Sequence, residues 1–231
     1  MSVKLVTWNL QGQGDKGQSK VVTFNKLLGS ADILCLQECG ELFDSLQKKI
    51  EWQIAPEDGK TVAVGKTGDF SVYYYYWSER CNLALFFKSE MTKNYQFFLP
   101  DKETQRPALG AKYGDVWIFS VHGPGKGCNL KYCQDMLGYI NTFASSDSKK
   151  WLAAGDFNCD RDDLAKKAWD FKVGFAPSCG HSTHLTAKKE IDLVAYSPGV
   201  TVSKGVCVKA GVNKDGCEFS SDHTPMMFEA T

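Results

Sequence analysis

Acids, amides and histidines recur in this sequence at the ends of short apolar runs, where a packed core has no use for them. Asn9 follows Val6-Thr7-Trp8, Glu38 follows Leu34-Cys35-Leu36-Gln37, and His122 follows Ile118-Phe119-Ser120-Val121. Asp156 and Asn158 follow Leu152-Ala153-Ala154-Gly155, Asp192 sits within Ile191-Asp192-Leu193-Val194, and Asp222 and His223 precede Thr224-Pro225-Met226-Met227-Phe228. A single Asp or Asn beyond a strand is an ordinary turn former or helix cap. A series of them at successive strand ends is different, because the strand ends at one sheet edge converge in space and open α/β architectures place ligands there.

Glu38 is the least comfortable of these residues in a structural role: a carboxylate after largely apolar neighbours must be paired or must hold a cation. A hard divalent ion such as Mg²⁺ takes one or two carboxylates plus waters and a substrate phosphate, and Glu38 with Asn9 or Asp222 could supply that set. No cysteine or histidine spacing demands zinc. His122 and His223, at separate strand ends beside acids, read as a general acid and a general base. By contrast, His181 and His184 lie in the Ser/Thr/Gly-rich segment Ser178 to Thr186, where their three-residue separation could mimic a metal-ligand spacing, but the nearest acid, Glu190, is beyond two lysines and a solvated loop is the favoured reading. The run Gly123-Pro124-Gly125-Lys126-Gly127 lacks the closing Gly-Lys-Ser/Thr of a phosphate loop and is expected to be a flexible loop beside the substrate.

The elements that must position these groups follow from periodicity. Val3 to Trp8 and Asp32 to Gln37 read as buried strands, with helical spacing between them over Ser19 to Leu28 and a second helix over Glu41 to Ile50. Thr61 to Val64, Phe70 to Trp77, Leu83 to Phe87 and Tyr95 to Leu99 are β-branched and aromatic, so the middle of the chain reads as strands. Within it, Tyr73 to Tyr76 should alternate, two rings inward and two outward. Asp115 to His122 and Trp151 to Gly155 are further strands, Leu130 to Phe143 and Asp160 to Trp169 helices, and Ile191 to Tyr196, Val200 to Val208 and Thr224 to Glu229 closing strands. The expectation is one α/β domain over residues 1–231, with two mixed β-sheets packed face to face and flanked by helices.

With 231 residues, 43% hydrophobic and 23% charged, the chain can bury a core without metal or disulfide staples. Its apolar runs stop well short of the roughly 20 residues that cross a bilayer. Lysine plus arginine balance the acids at 27 each, which argues against a nucleic-acid grip resting mainly on a basic field. Only Arg80, Arg106 and Arg161 can offer a bidentate fork to phosphate. Nine cysteines are many for a reducing cytosol. Cys128 with Cys133 and Cys207 with Cys217 have the spacing of local bridges, and a Cys159–Cys179 bridge would pin two catalytic strand ends; the alternative is free thiols in an intracellular enzyme. The opening Met1-Ser2-Val3-Lys4 carries no leader, and the cysteine count tilts the expectation toward a mature secreted chain.

Taken in order, the blocks Thr7-Trp8-Asn9-Leu10-Gln11-Gly12, Leu36-Gln37-Glu38, Arg106-Pro107, Val121-His122, Gly155-Asp156-Phe157-Asn158, Ile191-Asp192 and Ser220-Ser221-Asp222-His223-Thr224-Pro225 resemble the endonuclease/exonuclease/phosphatase superfamily. Within it, the Asn82-Leu83-Ala84-Leu85 and Arg106-Pro107-Ala108-Leu109-Gly110 segments add a likeness to the catalytic subunit of cytolethal distending toxin. The resemblance implies a four-layer deoxyribonuclease I-like sandwich and a divalent-metal phosphodiesterase, foremost a DNA endonuclease without base specificity. A phosphoinositide or other phosphoester phosphatase is the alternative, and a non-catalytic binding module the remote one.

In that frame Glu38, Asn9 and Asp222 hold Mg²⁺, with Mn²⁺ as a substitute and Ca²⁺ as a structural ion. Asp156 and Asn158 orient the attacking water, Asp192 fixes His223, and His122, supported by Glu79, serves the phosphate or the leaving oxygen. Arg106 and Asn9 bind the substrate. A monomer is expected, delivered by secretion and acting in a target-cell nucleus if it is toxin-like.

Overall fold

Leu5, Val6, Thr7 and Trp8 are all buried, so the first strand is covered on both faces and shows no polar alternation. In the computed structural model, which describes residues 2–12, 19–40, 46, 48–54, 62–77, 81–88, 95–98, 106–125, 127–146, 150–177, 179–184, 186, 188–208 and 221–231, this strand is β1 (Val3–Asn9). It is followed by α1 (Ser19–Ser30), β2 (Ile33–Gln37), β3 (Glu51–Ile54), β4 (Val62–Thr67), β5 (Phe70–Tyr75), β6 (Leu83–Phe87) and β7 (Tyr95–Phe98). The second half contains β8 (Ala108–Tyr113), β9 (Val116–His122), α2 (Leu130–Ser146), β10 (Lys150–Asp156), α3 (Arg161–Lys166), β11 (Gly174–Phe175), β12 (Asp192–Tyr196), β13 (Val206–Cys207) and β14 (Met226–Ala230).

The strands form an eight-stranded sheet, β13-β14-β1-β2-β6-β5-β4-β3, and a six-stranded sheet, β11-β12-β10-β9-β8-β7. Between the sheets lies one core, to which Leu5, Ile33, Tyr73, Tyr75 and Leu85 come from the first sheet and Leu109, Ile118, Leu152 and Val194 from the second. The alternate residues Val6, Trp8, Leu34, Leu36 and Phe86 turn outward and meet Phe24 and Leu27 of α1. On the far side Trp117, Phe119, Trp151 and Ala153 meet Tyr132, Met136, Leu137 and Ile140 of α2, whose spacing gives one apolar helix face. The result is the expected four-layer α/β sandwich.

The expected alternation of Tyr73 to Tyr76 holds, Tyr73 and Tyr75 entering the inter-sheet core and Tyr74 and Tyr76 the other face, where Tyr74 is nonetheless buried because the outer layer covers it. Several sequence expectations change. Val200 to Val208 is not one continuous strand: Val202 makes an isolated bridge to Ala230 of β14, and a regular ladder with β14 forms at Val206 and Cys207. The strands β3, β8 and β11 were not predicted, while most of the predicted Glu41 to Ile50 helix lies outside the described residues. Cys128 is bonded to Cys159, not to Cys133, and Cys159 is therefore not bonded to Cys179. Cys133 lies beside that bridge, its Sγ 3.9 Å from Cys159 Sγ; Cys217 is outside the described residues.

At the site end the backbone is packed very closely. A Cβ added at Gly155 would sit 1.9 Å from the Val121 carbonyl oxygen of the paired strand β9. Gly155→Ala must push β9 and β10 apart, so we expect a loss of about 2–3 kcal/mol, read from urea unfolding midpoints; a variant as stable as the parent would contradict this packing.

Candidate active site

The sheet topology explains why the polar residues gather. β1 and β2 run parallel, as do β9 and β10, so Asn9, Glu38, His122 and Asp156 arrive together at carboxyl ends. β12 and β14 run antiparallel to their neighbours β10 and β1, so Asp192, at the start of β12, and Asp222 and His223, just before β14, enter at the same edge. Across the six-stranded sheet His122, Asp156 and Asp192 occupy one row in register. Just beneath, Gln37 Nε2 donates to Ser120 Oγ at 2.9 Å and Thr7 Oγ1 to Gln37 Oε1 at 3.3 Å. This buried polar bridge fastens the two sheets where their residues must meet.

Asp156 is the centre of the cluster. Its Oδ2 accepts from Asn9 Nδ2 at 2.9 Å and Asn158 Nδ2 at 3.2 Å, and lies 3.5 Å from His122 Nε2 and 3.7 Å from His223 Nε2. Burial, reinforced by the neighbouring charge of Asp192, pushes its carboxyl well above the usual range. Asn158 holds a left-handed φ of 50° and also donates to the Gly123 carbonyl at 3.0 Å, which ties the turn after β10 to Gly123, just past the end of β9.

His223 is oriented from behind. Its Nδ1 lies 2.9 Å from Asp192 Oδ2, which leaves Nε2 facing the cleft 3.6 Å from Asp222 Oδ1. Burial alone would lower its pKa, but Asp192, by charge and hydrogen bond, together with Asp156 and Asp222, overcomes that and raises it to about 9. Because the folded value lies above the unfolded 6.5, the stability this pair contributes is complete below about pH 6.5 and is lost as pH rises through about 9. The melting temperature of chelator-treated protein should fall across that window, and His223→Gln should flatten the fall; parallel curves for the two proteins would contradict the pairing.

On the other side of the cleft, His122 Nε2 is a meeting point. Arg106 Nη1 hydrogen-bonds to it, Asn9 Nδ2 lies 3.5 Å away and Glu38 Oε1 3.4 Å away. Arg106 can donate to Nε2 only while that nitrogen carries no proton, and Asp156 Oδ2 stands 3.5 Å from the same atom. Glu38 adopts a left-handed φ of 48° and is also 3.9 Å from Arg106 Nη1.

The donor set suits a hard divalent cation. Glu38 offers a carboxylate, and Asp222 Oδ1 is buried with no hydrogen-bond partner among the described residues, a state that an added cation would relieve. Asn9 fits a different task from metal ligation: its Oδ1 accepts from the Gln11 N–H at 2.9 Å and its Nδ2 faces Glu38 and Asp156. It is placed to donate hydrogen bonds.

Asn9, Glu38, Arg106, Asp156, Asn158, Asp222 and His223 all line one open cleft of about 330 Å³. His122 and Asp192 lie directly behind it, while Glu79 falls outside the described residues. A largely apolar cavity of about 360 Å³ opens at the opposite end of the sandwich among Val3, Ile118, Leu152 and Val200, and an open polar groove of about 660 Å³ runs between α2 and Asp170; the strand-end acids, amides and histidines line neither of them.

Sequence reasoning missed three lining residues, Gln11, Cys81 and His184. The loop carrying His184, read as solvated, is held in the site: His184 bridges backbone to His223, and Thr224 N donates to Thr183 O at 2.9 Å. No local signal marks this, because the pairing partner is about forty residues away in the chain.

Residues 6–223 match the sequence profile of the Endonuclease/Exonuclease/phosphatase family. Among solved structures, cytolethal distending toxin from Actinobacillus actinomycetemcomitans shares 21% identity at a TM-score of 0.75, covering 98% of this chain and 97% of that one. Truncated Caenorhabditis elegans TDP2 gives 17% and 0.62 over 99% and 97%. Bacteroides thetaiotaomicron mannosyl-6-phosphatase gives 16% and 0.62 over 99% of both chains. No curated protein sequence matches. At these identities the neighbours establish the deoxyribonuclease I-like fold.

Proposed function

Because the chain belongs to the endonuclease/exonuclease/phosphatase family, whose members hydrolyse phosphoesters, we propose that it is a divalent-metal-dependent phosphodiesterase that cleaves DNA without base specificity. The observation that carries this reading is the convergence of His122 Nε2 and His223 Nε2 on Asp156 Oδ2, at 3.5 and 3.7 Å, across the floor of an open cleft.

Mg²⁺ held by Glu38, with Asp222 facing the same cleft, would neutralise charge on a non-bridging phosphate oxygen as the pentavalent state forms. Asp156 and Asn158 orient the attacking water in line. His223, in the neutral form whose Nδ1–H is held on Asp192, would take up the water's proton at Nε2 as the water adds to phosphorus, and the imidazolium so formed would stabilise the phosphorane. Arg106 forks onto the phosphate, a task for which lysine is a poor substitute. Asn9 donates to a phosphate oxygen. His122 hydrogen-bonds the phosphate or protonates the leaving 3′ oxygen, the two histidines being able to exchange roles, and the Arg106 contact at its Nε2 favours the first of these tasks.

The Cys128–Cys159 bridge supports an oxidising, secreted setting, and the likeness to cytolethal distending toxin supports a toxin-like role in a target-cell nucleus, with the chain acting as a monomeric single domain over residues 1–231. No helix among the described residues is long and apolar enough to cross a membrane.

A phosphatase acting on phosphoinositide or another small phosphoester is the second reading, favoured by the zero net charge and three arginines and by the mannosyl-6-phosphatase neighbour. Rates on plasmid DNA and on a soluble phosphoinositide head group, measured side by side, decide between them. The expected result is faster turnover of DNA; a preference for the head group of about tenfold or more, worth 1.4 kcal/mol in the barrier, would reverse the order.

A further inference from the structure

His184 is the one histidine of the cleft that the phosphodiesterase reading leaves without a task, and its surroundings are those of a metal ligand. Its Nε2 is 3.3 Å from Asp222 Oδ2, and Asp222 Oδ1 is 3.6 Å from His223 Nε2. One donor atom from each of the three residues falls within 4.8 Å of the other two. Two donors bound to the same tetrahedral ion at about 2.0–2.1 Å stand about 3.3 Å apart, so these separations need little adjustment. The rings of His184 and His223 meet edge to face, their centroids 4.6 Å apart.

Two further features point to a ligand. Asp222 Oδ1 is buried without a hydrogen-bond partner among the described residues. His223 carries the supporting contact of metal-binding histidines, Nδ1 on the Asp192 carboxylate, with Nε2 left facing the other two donors. Two imidazoles and one carboxylate suit a borderline ion of the Zn²⁺ class, whereas Mg²⁺ prefers oxygen ligands alone.

We propose that His184, Asp222 and His223 form a second metal site, selective for Zn²⁺-class ions and sharing Asp222 with the Mg²⁺ position on Glu38, and that its occupation inhibits hydrolysis. The ion binds the Nε2 lone pair on which His223 must receive the water's proton, so a filled site has no general base. The inhibitory part rests on the phosphodiesterase reading; the binding part does not.

The test is direct titration of the chelator-dialysed full chain with Co²⁺, followed by its visible absorption, and with Zn²⁺ by calorimetry. His184→Gln should weaken both by about tenfold or more, while Glu38→Gln should bind Zn²⁺ as the parent does. Binding through thiols is common to all variants, so the difference reports on His184. Asp222→Asn serves as the second variant if His184→Gln fails to fold. Under saturating Mg²⁺, the Zn²⁺ concentration that halves the rate should rise about tenfold in His184→Gln, relative to that variant's own uninhibited rate. Equal Zn²⁺ affinity in the parent and both variants overturns the site, and an unchanged inhibitory concentration overturns the inhibition. A protein that binds Zn²⁺ through His184 yet hydrolyses no phosphodiester would uphold this site and refute the functional reading.

Discussion

Replacing His223 by alanine should lower kcat on plasmid DNA about 10³-fold, within the range that general acid–base groups contribute, with KM changed little. Two properties of the ring make the effect large. The ring is oriented from behind by the Asp192 carboxylate, 2.9 Å from Nδ1, and its Nε2 faces Asp156, the group proposed to position the water, at 3.7 Å. The loss should appear in kcat because the ring acts on the reacting atoms more than on the bound duplex. Asp192→Asn should reproduce much of the defect while leaving His223 in place, since an amide can hold the ring in the wrong tautomer. Single-turnover rates on supercoiled plasmid check both. A fall of less than tenfold in His223→Ala would remove it as the base.

The second large effect is expected at Glu38. Its carboxylate stands 3.4 Å from His122 Nε2 and 3.9 Å from Arg106 Nη1, so without a cation it is an acid turned toward the place a phosphate must enter. Glu38→Gln removes the charge while nearly preserving the shape. The rate at saturating Mg²⁺ should fall about 10²–10³-fold, as for removal of a comparable transition-state charge contact, and the Mg²⁺ concentration giving half-maximal rate should rise at least about tenfold. The two readouts separate metal binding from a structural role: a variant with lower rate but an unshifted Mg²⁺ dependence would move the cation away from Glu38.

Much of this site is legible in the sequence because each residue sits next to an element whose pattern is strong. His122 and Asp156 end runs of apolar residues that can only be buried strands, and the parallel register that sets them side by side follows once strand–helix–strand alternation is recognised. The four layers were readable for the same reason: strands apolar on both faces require cover on both.

What escaped depends on contacts between distant segments. Ala108 to Tyr113 carries no continuous β-branched or aromatic run, with Pro107 before it and Gly110 within it, yet it forms β8. Gly110 earns its place because a Cβ would collide with the Phe119 ring at 2.3 Å. Val200 to Val208 has strand composition and does run along the free edge of β14, Thr201 N donating to Thr231 O, Ser203 N to Glu229 O and Val208 N to Pro225 O, but the register slips by one residue between the Val202–Ala230 bridge and the Val206–Met227 pair, so no continuous ladder forms. Cys128 reaches Cys159 only because α2 begins beside the turn after Asp156, and the spacing of cysteines in the chain holds no record of that. His184 enters the cleft through backbone pairing with His223, which no local pattern encodes.

Conversion of supercoiled plasmid to nicked and linear forms, in Mg²⁺ with and without chelator, by the parent and by the His122→Ala/His223→Ala double variant, tests the central claim most directly. The parent should nick in Mg²⁺, cut indifferently to sequence, and stop when the ion is chelated, while the double variant leaves the plasmid supercoiled. Intact supercoils with the parent at high enzyme concentration, or nicking by the double variant at the parent's rate, would contradict the assignment of metal-dependent phosphodiester hydrolysis to this cleft.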